Sequence, residues 1–145
     1  MNIIRNVQGY LKEKYGAIAN IKNEEKYREI YAVDFDGTLH LGKWPEIGAP
    51  NIELIEFLKK TQAAGDKVIL WTCRAGERLG AAVAWCSEQG LEFDAINQNL
   101  QENIDYWGND SRKVYAHYYI DDRNLNIEQI VKGDGRENGL QGRER

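Results

Sequence analysis

Four short apolar runs, each ending in polar residues, constrain this chain more than any other feature. They are "EIYAVDF" (29–35), "DKVILWT" (66–72), "FDAIN" (93–97) and "KVYAHYYIDD" (113–122). Runs this short, rich in β-branched and aromatic residues, read as strands buried on both faces. Between them the apolar residues recur at helical spacing. "APNIELIEFLKKTQAAG" has Pro50 near its start, Gly65 at its end and an apolar face of Ile52, Leu54, Ile55 and Leu58. "ERLGAAVAWCSEQG" (77–90) is a second helix ended by Gly90, and a short one is predicted around "NLNIEQIV". Strands alternating with helices imply an α/β fold, a Rossmann-like three-layer sandwich with a mostly parallel sheet.

The flanks differ from this pattern. Residues 1–29 place Ile3, Ile4, Val7 and Leu11 at helical spacing and are expected to form an N-terminal helical segment that packs on its own domain or meets a partner. The core domain is expected over 30–131. The tail "KGDGRENGLQGRER" (132–145) is glycine-rich and charged, and is expected to be loose. A chain of 145 residues suits one domain. A net charge of −4 argues against a broad electrostatic grip on a nucleic-acid backbone. No apolar run approaches the roughly eighteen residues of a membrane helix, so no membrane partner is expected. The first residues lack the apolar core of a secretory signal. Two cysteines, Cys73 and Cys86, are too few for a disulfide framework. A reduced, cytoplasmic setting is therefore expected.

In parallel sheets, ligands bind at the carboxyl ends of the strands. Polar residues collect there: Asp34 and Asp36 after the first strand, Thr72 after the second, Asp121 and Asp122 after the fourth. Asp34 and Asp36, two apart on a strand, would point the same way and repel. These four carboxylates at one sheet edge call for a cation, and hard oxygen ligands suit Mg²⁺. His40 and His117 stand isolated in the sequence and read as surface or packing residues. A metal alone does not explain the Thr72 hydroxyl or Lys113, but a phosphoryl group does, because its transfer depends on charge neutralisation and positioning. Asp34 is then the nucleophile. Asp36 protonates the leaving alcohol and later activates water. Gly37 lets the backbone turn and present amide donors to the phosphate.

These residues resemble the haloacid dehalogenase (HAD) superfamily of phosphohydrolases. "DFDGTL" (34–39) matches the family's first motif, D-x-D-G-T-L, at every position. "VILWT" (68–72) is similar to the second, Lys113 to the lysine of the third, and "YYIDD" (118–122) to the fourth. The motifs occur in the family's order across about six tenths of the chain. The resemblance implies a phosphatase that uses Mg²⁺ and passes through an aspartyl-phosphate. It makes Asp34 nucleophile and metal ligand, and Asp36 general acid/base with its carbonyl on the metal. Thr72 would bond a phosphoryl oxygen, Lys113 would pair with nucleophile and phosphate, and Asp121 and Asp122 would serve the metal. Gly37, Thr38, Cys73 and Arg74 are candidates to line the substrate, with a structural salt bridge as the alternative for Arg74 and packing as that for Cys73, and Arg112 competes for the role of Lys113. The presence of Asp36 favours phosphate over halide chemistry.

Thirty-six positions separate Asp36 from Thr72, and forty-one separate Thr72 from Lys113. Neither interval holds a cap domain, so the resemblance is to a small capless member. Such members act on large substrates, or close the site by oligomerising or with short loops. "HLGKWPEIG" (40–48), with Lys43 and Trp44, and the long polar "NQNLQENIDYWGNDSR" (97–112), with Tyr106 and Trp107, are the candidate covers. The expected partner is a phosphorylated small molecule or nucleotide, with a nucleic-acid end as an alternative that stacking aromatics would favour. Another alternative is a catalytically silent Mg²⁺-binding module like a phospho-receiver. Receiver domains place the acidic pair first and the phosphoacceptor later, the reverse of the order seen here.

Overall fold

Within residues 28–131, which the computed structural model describes, the apolar runs form one parallel sheet. The elements are β1 (Ile30–Val33), α1 (Ile52–Ala63), β2 (Lys67–Leu70), α2 (Gly76–Glu88), β3 (Ala95–Ile96), α3 (Gln101–Trp107), β4 (Tyr118–Ile120) and α4 (Ile127–Val131). The strand order is β3-β2-β1-β4. The chain steps outward from β1 through β2 to β3, then returns to the other side of β1 with β4. This is an α/β Rossmann-like fold with its switch point between β1 and β4. The tail 132–145, expected to be loose, and most of the helix expected over 1–29 lie outside the described residues, and Arg28 and Glu29 are irregular.

Every residue of β1 is buried, as an inner strand requires. Its side chains alternate between two apolar layers. Tyr31 and Val33, with Val68 and Leu70 of β2, meet Ile55 and Leu58 of α1 and Ala82 and Cys86 of α2. Ile30 and Ala32, with Ile69, pack on the other face against Ala95, Leu100 and Val114. Each fully buried Leu or Ile here contributes roughly 1.5–3 kcal/mol. Burial pushes the Cys86 thiol up to about 12, which makes it a packing residue. Among the described residues no helix is long and apolar enough to cross a membrane.

Three boundaries differ from the sequence expectation. Ile52 is 65% exposed, because Asn51 caps α1 and turns its first residue outward, leaving Ile55 and Leu58 as the buried face. The fourth strand shrinks from 113–122 to Tyr118–Ile120. Upstream of it, the Tyr115 amide donates to the Asn99 side chain (2.7 Å) instead of to a neighbouring strand. The polar stretch 97–112 contains α3, which ends at Gly108 in a left-handed C-cap. The Asn99 side-chain amide, bonded to Asp110 (2.6 Å) and Ser111 (3.1 Å), clamps that excursion shut.

Candidate functional site

The register of the sheet builds the site. Val33 pairs with Ile120, so the next residues, Asp34 and Asp121, emerge side by side at the switch point. The Asp34 amide still donates to the Ile120 carbonyl (2.9 Å). Immediately afterwards the chain folds back, and one carbonyl, that of Phe35, accepts from the amides of Thr38, Leu39 and His40. The buried Phe35 ring anchors this turn in the core. Gly37 sits within it at φ +72°, where a β-carbon would lie 2.6 Å from Asp122 Oδ2. Only glycine allows both the turn and the approach of Asp122.

Asp34, Asp121 and Asp122 each present an oxygen within 4.8 Å of the others. The Thr38 hydroxyl lies between them, 3.4 Å from both Asp34 Oδ2 and Asp122 Oδ1, and accepts the Asp122 amide (3.1 Å). Burial pushes the Asp34 carboxyl up to about 6; the Phe35 amide opposes this, and the charges of Asp121, Asp122 and Asp36 add to it. Among the described residues no lysine, arginine or histidine forms an ion pair with these three carboxylates. A hard, all-oxygen set with uncompensated charge fits a divalent cation such as Mg²⁺.

Asp36 faces a different environment. Arg74 donates to it twice, from Nε to Oδ2 (2.9 Å) and from Nη2 to Oδ1 (2.7 Å), and His40 Nε2 lies 2.9 Å from Oδ1. The histidine tautomer follows from its other nitrogen. Nδ1 accepts the amides of Gly42 and Gly48, each at 3.0 Å, so the proton is on Nε2 and His40 donates to Asp36 as a neutral ring. Burial alone would raise the Asp36 carboxyl, but these hydrogen bonds and the Arg74 charge hold it below the ordinary carboxylate value. The repulsion expected between Asp34 and Asp36 is thus met on one side only: Asp36 has a cationic and a neutral side-chain donor built into the fold, whereas Asp34 has the Phe35 amide and the Thr38 hydroxyl but, among the described residues, no cation.

The remaining expected residues divide between the two environments. Lys113 and Asp34 line one cavity of about 270 Å³ with Trp71, Tyr119, Asp121 and Asn124, and Arg112 does not border it. The Lys113 ammonium lies 5.2 Å from the centroid of the Tyr119 ring. Thr72 donates its amide to Asn97 Oδ1 (2.8 Å), and its hydroxyl accepts the Arg74 amide (3.1 Å). Cys73 is exposed between them. Arg74 is only 4% exposed and also donates to the carbonyls of Pro45 (3.0 Å) and Arg78 (3.4 Å). Of the two roles the sequence left open for Arg74, the structure shows the salt bridge, to Asp36, and a substrate contact would require it to leave that carboxylate.

Two residues were not legible as site residues. His40 is fully buried beneath Asp36, and its spacing of i, i+4 from Asp36 was the available signal. Asn97 ends β3 at φ +51°, a conformation that Asn tolerates well, and its place at a strand's carboxyl end was the clue.

A search of the solved structures finds a conserved protein from Bacteroides thetaiotaomicron, 35% identical, with the match covering 80% of this chain and 99% of that one at a TM-score of 0.60. The chain belongs to the family of that Bacteroides protein. No protein-family model matches the chain, and no curated protein does. The Bacteroides protein is described only as a conserved protein, so this kinship supports the fold and leaves the chemistry to the site itself.

Proposed function

We propose that the chain is a magnesium-dependent phosphomonoester hydrolase acting through an aspartyl-phosphate on Asp34. The observation that carries this reading is the meeting of Asp34, Asp121 and Asp122 at the switch point, beside a cavity that Lys113 also lines. The three carboxylates would hold Mg²⁺, which when bound supplies positive charge against the carboxylates and the phosphoryl oxygens. An Asp34 oxygen attacks phosphorus, and the bond from phosphorus to the leaving oxygen breaks. Lys113 balances charge on the phosphoryl group, and the Thr72 hydroxyl hydrogen, which no described residue accepts, is available to it. Water then attacks phosphorus and regenerates Asp34.

Asp36 moves the protons. Its three N–H partners favour the charged form, which suits it to take a proton from the attacking water in the second step. Delivering a proton to the leaving oxygen in the first step requires its contact with Arg74 to loosen. A nucleotide is favoured among possible substrates by Trp44. This indole is 56% exposed, with the guanidiniums of Arg74 and Arg78 at 5.0 and 4.8 Å from its ring centroid. Positive charge is thereby concentrated over an exposed aromatic ring, which suits an anionic substrate that carries a base.

The test is inorganic phosphate release from a panel of monoesters, with and without Mg²⁺. Nucleotides, sugar phosphates, an aryl phosphate and a 3′- or 5′-phosphorylated oligonucleotide belong in the panel. The expected result is Mg²⁺-dependent release that Asp34→Asn lowers by about 10⁴-fold or more. Protein that binds Mg²⁺ and releases nothing from any ester would reassign the chain to a binding role.

A further inference from the structure

We infer that Arg74 is a positioning residue for proton transfer, acting through Asp36, and that it ties the orientation of that carboxylate to the 41–48 loop. The inference rests on the phosphatase reading and specifies what one residue of that site does. Four donated hydrogen bonds spread the Arg74 guanidinium over three separate pieces of chain. Two reach the Asp36 carboxylate, one reaches the Pro45 carbonyl in the loop, and one reaches the Arg78 carbonyl in the first turns of α2. Its flat faces are occupied as well: the guanidinium carbon lies 4.8 Å from the centroid of the buried Phe35 ring and 5.0 Å from that of Trp44.

A planar fork holding both carboxylate oxygens fixes the orientation of that group, which a single contact cannot do. The same guanidinium holds the loop's Pro45, so a displacement of the loop is passed to Asp36. The loop itself is held at its base. A β-carbon on Gly42 would lie 2.7 Å from the Gly48 nitrogen, and both glycine amides are bonded to the His40 ring that also contacts Asp36. Loop and carboxylate are thus joined twice, through Arg74 above and His40 below. With four of its five N–H donors engaged inside the protein, Arg74 is built to hold Asp36 and the loop rather than to grip a phosphate.

The experiment compares wild type, Arg74→Lys and Arg74→Ala on two esters, an alkyl phosphate whose leaving group needs a proton and 4-nitrophenyl phosphate whose leaving group does not. Arg74→Lys is expected to lower steady-state kcat on both esters by about 100-fold, because the aspartyl-phosphate they share is hydrolysed by water that Asp36 deprotonates, to leave the initial burst of 4-nitrophenol within about 3-fold, and not to raise KM. Guanidinium ion at low, non-denaturing concentration should restore alkyl-ester turnover to Arg74→Ala. In an Asp36→Asn background, Arg74→Lys should have no further effect on kcat. A rise in KM with kcat preserved would make Arg74 a substrate ligand and overturn the inference. A 4-nitrophenol burst slowed as much as steady-state turnover, additive effects with Asp36→Asn, or failure of both variants to fold would make it merely structural and overturn it too. A wild-type protein that hydrolyses neither ester overturns the phosphatase reading, and this inference falls with it.

Discussion

Asp34 and Asp36 stand two residues apart on one turn, yet they occupy opposite electrostatic situations. Asp36 is surrounded by donors of the protein's own: the Arg74 fork, and a neutral His40 fixed in its tautomer by two backbone amides. Asp34 has Asp121 and Asp122 beside it, and Lys113 reaches only the same cavity. The carboxyl of Asp36 is held below the ordinary value and that of Asp34 is raised to about 6. A carboxylate neutralised within the fold belongs to the fold's stability. A carboxylate group left with uncompensated charge at a ligand-binding edge is suited to a cation from solution.

The sharpest way to break this comparison is to neutralise each aspartate in turn and follow thermal stability without metal. Asp36→Asn leaves a guanidinium buried with no counter-charge, which costs roughly 2–3 kcal/mol; the value sits below the fully buried range because the Asp36 side chain is 22% exposed. Its Tm should fall by on the order of 10 °C. Asp34→Asn removes one charge from a repelling trio, so its Tm should stay level or rise by a few degrees, while the increase that Mg²⁺ gives to wild type should disappear. Differential scanning calorimetry in EDTA and in Mg²⁺ reads both. Shifts of the same sign in the two variants would show that the environments are not opposed.

The next effect concerns how the trio is held together. Gly37→Ala introduces a methyl group 2.6 Å from Asp122 Oδ2 and strains a φ of +72°. It should lose about 1–2 kcal/mol of stability and about tenfold in Mg²⁺ affinity as Asp122 is pushed out of the group. Gly65→Ala is the matched control. Its φ is +103°, but nothing lies within 4 Å of the added carbon, so it should lose stability and keep its affinity for Mg²⁺. Calorimetric Mg²⁺ titration of both separates backbone strain from the displacement of Asp122, and an unchanged affinity in Gly37→Ala would sink the packing argument.

The fold was legible because the strands announce themselves twice, in apolar runs and in polar residues at their carboxyl ends. Asp34, Asp121 and Asp122 were legible for the same reason, since parallel register carries the carboxyl ends of neighbouring strands, here β1 and β4, to one place. The partnership of Asp36 was not. A period of two puts Asp34 and Asp36 on one side of a strand, but the chain leaves the strand at Asp34 and turns on the Phe35 carbonyl. Arg74 and His40 were each visible, but Arg74 lies 38 positions from Asp36, and the i, i+4 spacing of His40 is only a weak pointer to their contact. The helix α3 was masked by its asparagines, because burial of Asn103 and the clamp by Asn99 depend on tertiary partners.

The smallest expected effect tests whether a titration seen in this protein belongs to the site at all. His117 lies at the amino ends of the strands, where its Nδ1 accepts the Ile30 amide (2.8 Å) and links β4 to the start of β1. Burial lowers its pKa from the ordinary 6.5, with the charges of Glu29 and Asp66 opposing that shift. A depressed histidine contributes stability that is fully present above the unfolded value. That stability is lost as pH falls from about 6.5 through the folded pKa, because the unfolded chain takes up the proton first. Tm should therefore decline between pH 7.5 and 5.5, by no more than a few degrees from this group. His117→Asn keeps an acceptor where Nδ1 stood and removes the titration, so its decline should be shallower. Saturating Mg²⁺ distinguishes the two ends of the sheet. On the proposed metal site the cation would screen any contribution from Asp34 and its neighbours, whereas the His117 step has no reason to respond. A rise in Tm as pH falls that disappears in Mg²⁺ and survives His117→Asn would instead report the carboxylates, because a carboxyl raised to about 6 in the fold stabilises it on taking up a proton.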